Sequence, residues 1–269
     1  MKNLPATLLR GGSILGFVLF ISLPLVMVLL EAFGADWFGM RMLPAKWTLR
    51  WFMWAAQTVD LKGVLTNTIE IAVLATVFAL VLSIPAAWAI ARYQLPLKSL
   101  LIGAILFPRM IPEITFALGV ARIFYAIHLT NTAIGIAFAH VILAAPFAVL
   151  VLVSTFEGMD SRLLEAGTVM GCGPFRLFWL VTLPLALPGL VAAALFSFLA
   201  SYNDFVLTLM VYGADTVTLP VQTYLSLGNG YLSVAGAIST ILLIPSLLFL
   251  LGMLRMVSPE NLVGGLKGA

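Results

Sequence analysis

Residues 67–91 read NTIEIAVLATVFALVLSIPAAWAIA, and this stretch carries no charged side chain after Glu70. A run of about 20 apolar residues is long enough to cross the hydrocarbon core of a membrane as a helix. A helix can do so because it satisfies its own backbone hydrogen bonds where water is absent. The stretch therefore predicts a membrane-spanning helix.

The composition of the whole chain agrees with this interpretation. Of its 269 residues, 62% are hydrophobic and 9% are charged, whereas soluble domains carry about 25% charged residues. So few charges cannot cover a water-facing surface, which excludes a soluble globular enzyme. The Lys and Arg residues are scattered singly, so we expect no nucleic-acid partner. One cysteine, Cys172, and two histidines, His128 and His140, predict neither a disulfide framework nor a metal site.

Six apolar segments of spanning length recur along the chain. They cover about residues 13–30, 67–91, 99–119, 131–154, 185–210 and 233–254. The alternating pattern of barrel strands is absent. The sequence thus predicts an all-α integral membrane protein with one transmembrane domain over residues 1–269. The first run exceeds the apolar part of a typical signal peptide, about 7–15 residues, and is interpreted as an uncleaved first helix.

The distribution of Lys and Arg between the loops favours cytoplasmic termini. Six spans place both termini on one side of the membrane, and short cytoplasmic loops carry an excess of basic residues. With the N-terminus inside, the inside segments hold Lys2, Arg10, Arg92, Lys98, Arg162, Arg176, Arg255 and Lys267. The outside segments hold the smaller set of Arg41, Lys46, Arg50, Lys62 and Arg122.

This orientation predicts the side of the membrane on which two loop glycines lie. A reporter fused after Gly213 should report an extracytoplasmic position, and one fused after Gly158 a cytoplasmic position. Paired alkaline phosphatase and fluorescent-protein fusions measure this directly, because each is active on only one side. The reverse pattern would contradict the orientation.

The first outside loop, residues 31–62, carries the four tryptophans Trp37, Trp47, Trp51 and Trp54. Indole rings are enriched at the membrane–water interface. Residues 48–56 could therefore form a short helix on the outer face. A solvated loop with incidental aromatic residues is an equal alternative.

The inside loop between the fourth and fifth spans, residues 155–184, holds the most informative motif. Apolar residues recur there at helical spacing beside charged ones, which predicts a short amphipathic helix ending near Gly171-Cys172-Gly173-Pro174. Such a helix could lie on the inner membrane surface or bind a soluble partner. The loop contains Glu165-Ala166-Gly167, then Gly171, then Val181-Thr182-Leu183-Pro184.

These residues resemble the cytoplasmic signature of the membrane permease subunits of binding-protein-dependent, type I ABC importers. That signature is Glu-Ala-Ala, three residues, Gly, nine residues and Ile-x-Leu-Pro. Gly167 and Val181 replace its second Ala and its Ile, and both gaps are kept. Three further groups of residues look like the spermidine/putrescine branch: Phe107-Pro108 with Ile111-Pro112-Glu113, His140 with Pro146-Phe147, and Ser197-Phe198 with Asn203-Asp204-Phe205.

The resemblance implies a six-helix permease fold in the bacterial cytoplasmic (inner) membrane, with the loop helix docked as a coupling helix in a cleft of an ATPase subunit. The implied partners are a homologous second permease subunit, two ATPase subunits that hold ATP and Mg²⁺, an extracytoplasmic substrate-binding protein and membrane lipid. The residues implied in ATPase coupling are Glu165, Ala166, Gly167, Gly171, Leu183 and Pro184. No lysine follows a glycine, so no P-loop is present, and we expect no catalytic residue and no cofactor on this chain.

Ionisable residues at membrane depth are costly, so each is a candidate for a substrate passage. Arg109 and Glu113 lie four residues apart and could pair on one helical face. The pair could be purely structural. Alternatively, Pro108 and Pro112 could break the helix there and leave it lining a cavity.

Asn203 and Asp204 fall in the middle of the predicted fifth span, beside Tyr202. Asp204 should face the interior, where it could meet a cationic solute or bond a neighbouring helix. The solute is favoured because no basic residue lies within the span. His140 has no acid within one turn and is predicted to be a neutral hydrogen-bonding residue.

Together these features predict a permease for a small amine. Putrescine or spermidine leads, and an opine or aminoethylphosphonate is the alternative because Arg109 would suit an anionic group. An ion-coupled secondary transporter is opposed by the coupling-loop signature. A membrane protease is opposed by the absence of the His-Glu-x-x-His and Gly-x-Ser-x-Gly motifs.

Overall fold

A computed structural model describes residues 4–37 and 43–256, and helices dominate both ranges. In chain order the α-helices are α1 (Leu4–Phe33), α2 (Arg50–Thr58), α3 (Leu61–Arg92), α4 (Lys98–Leu106), α5 (Glu113–Ala126), α6 (Ala133–Glu157), α7 (Ser161–Val169), α8 (Pro174–Leu177), α9 (Leu183–Leu185), α10 (Leu187–Tyr202), α11 (Val206–Val211), α12 (Leu219–Gly228) and α13 (Leu232–Met256). Two 3₁₀ turns, Phe107–Met110 and Ala214–Thr216, and a π-helical segment, Phe178–Thr182, lie between them. The strands β1 (Gly34–Ala35) and β2 (Lys46–Trp47) pair antiparallel.

Four of these helices, α1, α3, α6 and α13, are long and apolar enough to cross a membrane. They confirm the predicted first, second, fourth and sixth spans. Two further helix pairs are each bent at a short break, and counting each pair as one span gives the predicted number of six, with the fifth over residues 174–202 instead of 185–210. The helix α2 also confirms the helical alternative for residues 48–56.

The third predicted span, residues 99–119, is a broken helix, which confirms the alternative predicted from Pro108 and Pro112. The chain bends by 96° between the 3₁₀ turn after α4 and the start of α5. Ile111 at the bend is extended, with φ −83° and ψ 140°. Pro112 explains this, because a proline disfavours the helical conformation of the residue before it.

The fifth predicted span, residues 185–210, is also interrupted. α10 ends at Tyr202 and α11 begins at Val206, and a separate 73° bend lies between α9 and α10. Asn203 and Asp204 therefore lie at a helix break and not in the middle of a helix. Both side chains bond to the backbone of their own segment, and such bonds compete with helix continuation.

The chain divides into two compact units, one formed by the chain up to Gly63 and from Leu219 onward, the other by Val64–Thr218. The single domain over residues 1–269 stays a prediction. In the first unit, α13 packs along α1 and approaches it closely at Gly236. A Cβ added there would lie 3.0 Å from the backbone nitrogen of Ala32.

The second unit has two main apolar clusters. One joins α3, α5, α6 and α11 around Ile136 and Leu207, which are fully buried. The other joins α3, α6 and α10 around Leu152, Phe156 and Ala193. Because α6 contributes to both clusters, it is the central helix of this unit.

Candidate functional site

The predicted coupling helix is present as α7. The Asp160 carboxylate caps its start by accepting a hydrogen bond of 2.9 Å from the backbone N–H of Arg162. An acidic residue at this position also interacts favourably with the helix dipole. The amphipathic helix predicted within residues 155–184 is thus confirmed.

Gly171 terminates α7 through its backbone conformation. Its φ is +83°, in the left-handed region that glycine adopts without steric cost. Its N–H donates to Thr168 O at 3.0 Å, and the N–H of Cys172 donates to Gly167 O at 3.0 Å. This pair of bonds is the Schellman motif of a helix C-terminus. The predicted helix break at Gly171–Pro174 is therefore confirmed.

The other residues implied in ATPase coupling differ in how far they are buried. Gly167 is buried, and a Cβ there would collide with the side chain of Leu177 on α8. Glu165 and Ala166 are exposed on α7. Further along, Leu183 is half-buried and Pro184 exposed. Gly167 thus holds α7 against the segment that leads to Leu183-Pro184.

Two large apolar side chains are exposed at the C-terminal end of α7. Val169 is 88% exposed and Met170 85% exposed. Exposed apolar residues at one end of a loop helix suit it to docking on a partner.

Two contacts join the coupling loop, residues 155–184, to the short loop between α3 and α4. Lys98 Nζ lies 2.7 Å from Glu157 Oε1, and Arg92 Nη2 donates to Met159 O at 3.4 Å. The guanidinium of Arg92 also lies 5.4 Å from the ring centre of Trp88. Both loops therefore lie at the same end of this unit, in agreement with the prediction that they share one side of the membrane.

A cavity of about 230 Å³ lies at the two helix breaks of this unit. Its polar lining consists of Arg109, Glu113, His140, Asn203 and Asp204. Four of the five predicted passage residues thus meet in one place. Tyr202, the fifth, does not line this cavity, because its side chain is 0% exposed and stacks on Phe198 at 5.6 Å.

Three polar groups contact the Asp204 carboxylate. Its Oδ1 accepts from the backbone N–H of Thr208 at 3.0 Å and from the Thr208 hydroxyl at 3.1 Å, and it lies 3.1 Å from His140 Nε2. The side chain is only 6% exposed. Asp204 lacks a basic partner within its own span, as the sequence indicates, but α6 supplies one.

His140 connects three helices. Its side chain is 2% exposed, and its Nδ1 lies 2.7 Å from Ser201 Oγ on α10. Its Nε2 lies 2.9 Å from Thr208 Oγ1 on α11. The predicted hydrogen-bonding role is confirmed, and the pairing with Asp204 is the part that sequence reasoning missed.

Arg109 and Glu113 do not form the predicted ion pair. The break before α5 separates them, so they no longer share a helical face, and within residues 4–37 and 43–256 neither has an ion-pair partner within 4.0 Å. The Arg109 guanidinium instead lies 4.3 Å from the ring centre of Phe147 on α6. Glu113 is the first residue of α5, where the helix dipole favours a negative charge. Both side chains are exposed and available to a solute.

Two helices connect the cavity with the coupling loop. α6 carries His140 at the cavity and ends at Glu157, beside the loop. At 1.5 Å per residue, these two positions are roughly 25 Å apart. α10 covers a similar distance in the opposite direction, and Gly189 allows it to approach α6 at Thr155.

The chain matches a known protein family and several of its members. The family described as "Binding-protein-dependent transport system inner membrane component" matches residues 72–261. The chain is 27% identical to the spermidine/putrescine transport system permease protein PotC of Escherichia coli (strain K12), over 91% of this chain and 92% of that protein. It is 34% identical to the trehalose transport system permease protein SugB of Mycobacterium tuberculosis (strain CDC 1551 / Oshkosh), over 77% of each.

The fold also matches a solved structure. A chain of a bacterial ABC transporter involved in the import of the acidic polysaccharide alginate superposes with a TM-score of 0.74. The match covers 96% of this chain and 99% of that chain, at 17% sequence identity. At this low sequence identity, the match shows that the two chains share a fold.

Proposed function

The chain belongs to the family of binding-protein-dependent transport system inner membrane components, and from this premise we propose that it carries a small amine through the membrane. It is a permease subunit of an ABC importer, and its solute is delivered by an extracytoplasmic binding protein. The cavity lined by Arg109, Glu113, His140, Asn203 and Asp204 is the observation on which the choice of solute rests.

Our proposal for the assembly follows from the coupling loop. This chain pairs with a homologous second permease subunit, and α7 docks on one of two ATPase subunits through Glu165, Ala166 and its exposed apolar end. ATP and Mg²⁺ are bound by the ATPase subunits, and this chain itself is non-catalytic. Its termini and its coupling loop lie in the cytoplasm.

The charges of the cavity support an amine over a neutral sugar. The names of the relatives include both a polyamine and a sugar, so they leave the solute open. Ionisable groups at membrane depth are costly, so such a group is either paired with an opposite charge or has a function. Glu113 has no such pair among the described residues, and in a low-dielectric cavity its carboxylate attracts an ammonium group far more strongly than it would in water.

One observation favours a zwitterionic amine, such as an opine or aminoethylphosphonate, over a polyamine. The Arg109 guanidinium lines the same cavity as Glu113 and is held by stacking on Phe147 instead of by a carboxylate. A fixed positive charge repels a second ammonium group and binds a carboxylate or phosphonate. The Asp204 carboxylate is already engaged by His140 and Thr208, which leaves the Arg109 guanidinium and the Glu113 carboxylate to bind the solute.

Uptake by the reconstituted importer with its binding protein tests the substrate class. We expect uptake of 2-aminoethylphosphonate, lower uptake of putrescine and none of trehalose. Glu113→Gln should lower uptake of both amines about tenfold, as expected for a lost charge-assisted contact worth about 1.4 kcal/mol. Arg109→Gln should lower only the uptake of the phosphonate.

Glu70→Gln serves as the matched control, since Glu70 is an exposed carboxylate outside the cavity. It should leave uptake unchanged. Transport of trehalose, or amine uptake that is insensitive to Glu113→Gln, would contradict the proposal.

A further inference from the structure

A second pocket, of about 400 Å³, lies beyond the end of α1. All its lining residues belong to the unit that contains α1, α2 and α13. They include one carboxylate, Glu31, and three aromatic rings, those of Trp37, Trp51 and Tyr231. No lining residue is shared with the cavity at Arg109.

Glu31 contributes a carboxylate that is only partly engaged. Its Oε2 accepts a hydrogen bond of 3.2 Å from the Ser233 hydroxyl, in the first turn of α13. A helix N-terminus favours a negative charge, so this location suits a carboxylate. Among the residues that the structure describes, no basic side chain pairs with Glu31 within 4.0 Å.

Two described basic residues of this unit have partners of their own, Lys46 in Asp36 and Arg50 in the lining residue Trp51. Lys46 Nζ lies 3.0 Å from Asp36 Oδ2, and its hydrogen bond and charge hold the pKa of Asp36 below its usual value. The guanidinium of Arg50 lies 4.1 Å from the ring centre of Trp51. Among the described residues, Glu31 is the one formal charge in the lining of the pocket.

Two of the three aromatic rings around Glu31 are held in place before any ligand arrives. The Trp51 indole N–H donates to Gly34 O at 2.7 Å. The ring of Tyr231 packs against Trp54, with centres 4.9 Å apart. Such fixed rings lose little conformational entropy on binding, which favours affinity.

We propose that this pocket binds an ammonium group. The faces of tryptophan and tyrosine rings attract cations, and several rings around one position are the usual means of recognising alkylammonium groups. Here the carboxylate of Glu31 adds a full opposite charge. The proposal does not depend on which solute the importer carries.

Two sources could supply the ammonium group. One is a small soluble amine. The other is the headgroup of phosphatidylethanolamine, because the pocket directly follows a long apolar helix and tryptophan-rich segments lie at headgroup depth.

Binding of radiolabelled tetramethylammonium to the assembled importer tests the site. The importer is reconstituted in nanodiscs of phosphatidylglycerol, and binding is measured by scintillation proximity. We expect saturable binding that weakens about tenfold in Glu31→Gln, as for a lost ion pair of about 1.4 kcal/mol. Glutamine keeps an acceptor for the Ser233 hydroxyl, so this variant should assemble, and retained ATPase activity checks that it does.

Glu70→Gln is the matched control and should not change the affinity for the probe. Repeating the comparison in the Glu113→Gln background removes binding at the cavity, so failure of one proposal leaves the other standing. Nanodiscs that contain phosphatidylethanolamine identify the source. Competition there with the probe indicates a lipid headgroup, and unchanged binding indicates a soluble amine. Absence of saturable binding, or equal affinity in Glu31→Gln, would overturn the proposal.

Discussion

Replacing Gly171 by valine should reduce ATP-driven uptake and solute-stimulated ATPase activity more than tenfold while the protein still inserts in the membrane. The left-handed conformation of Gly171 costs a residue with a Cβ about 1–2 kcal/mol, and a β-branched residue is especially unfavourable there. The last turn of α7 would therefore unwind and change the surface that docks on the ATPase. Uptake and ATPase activity of the reconstituted importer measure both losses.

Gly173→Val is the matched control for this prediction. Gly173 lies two residues away and is equally uncrowded, but its φ of −65° and ψ of 162° suit any residue. Its substitution should leave coupling close to that of the unmodified chain. Equal losses in the two variants would indicate that side-chain bulk, and not backbone conformation, matters in this loop.

Replacing Asp204 by asparagine should lower amine uptake at least tenfold while the complex still assembles and hydrolyses ATP. Asparagine keeps a carbonyl oxygen for the Thr208 N–H but loses the negative charge beside His140 and the cavity. Binding by the extracytoplasmic protein should be unaffected, because that protein is a separate chain. Uptake assays, together with calorimetry on the binding protein, measure the two effects.

Asp204→Leu should instead prevent assembly. It leaves the Thr208 N–H without its acceptor and removes the carboxylate beside the buried His140 ring, and breaking one side of a buried pair costs about 3–5 kcal/mol. If Asp204 acts through His140, the losses in Asp204→Asn and His140→Gln should not add in the double variant. Unchanged uptake in Asp204→Asn would remove this residue from the passage. Loss of assembly in that variant would leave it only a structural role.

The long helices could be predicted because each is an uninterrupted apolar run, as in residues 67–91. The interrupted helices were harder to predict from the sequence. Pro112 is a visible local signal for the break before α5, whereas the break at residues 203–205 depends on side-chain to backbone bonds that compete with the helix.

Contacts between distant residues were beyond sequence reasoning. His140 and Asp204 meet only because α6 packs against α10 and α11, and no periodicity within one segment reveals such a meeting. The coupling motif fixed the position of Gly171 but not its left-handed conformation, which depends on how the last turn of α7 closes. The sequence does not reveal the pocket at Glu31, because Ser233 and Tyr231 are about 200 residues away from Glu31 along the chain.

The double attachment of α6 to α10 has a mechanical consequence. The two helices approach each other at one end, where Gly189 meets Thr155, and are joined at the other by the contact between His140 and Ser201. We expect a pair held at both ends to tilt as one body, so that a displacement of the coupling loop would reach one wall of the cavity. The opposite wall carries Arg109 and Glu113, and the Arg109 guanidinium lies 4.3 Å from the ring centre of Phe147 on α6. We therefore expect the width of the cavity between the α6–α10 pair and this corner to change during a transport cycle.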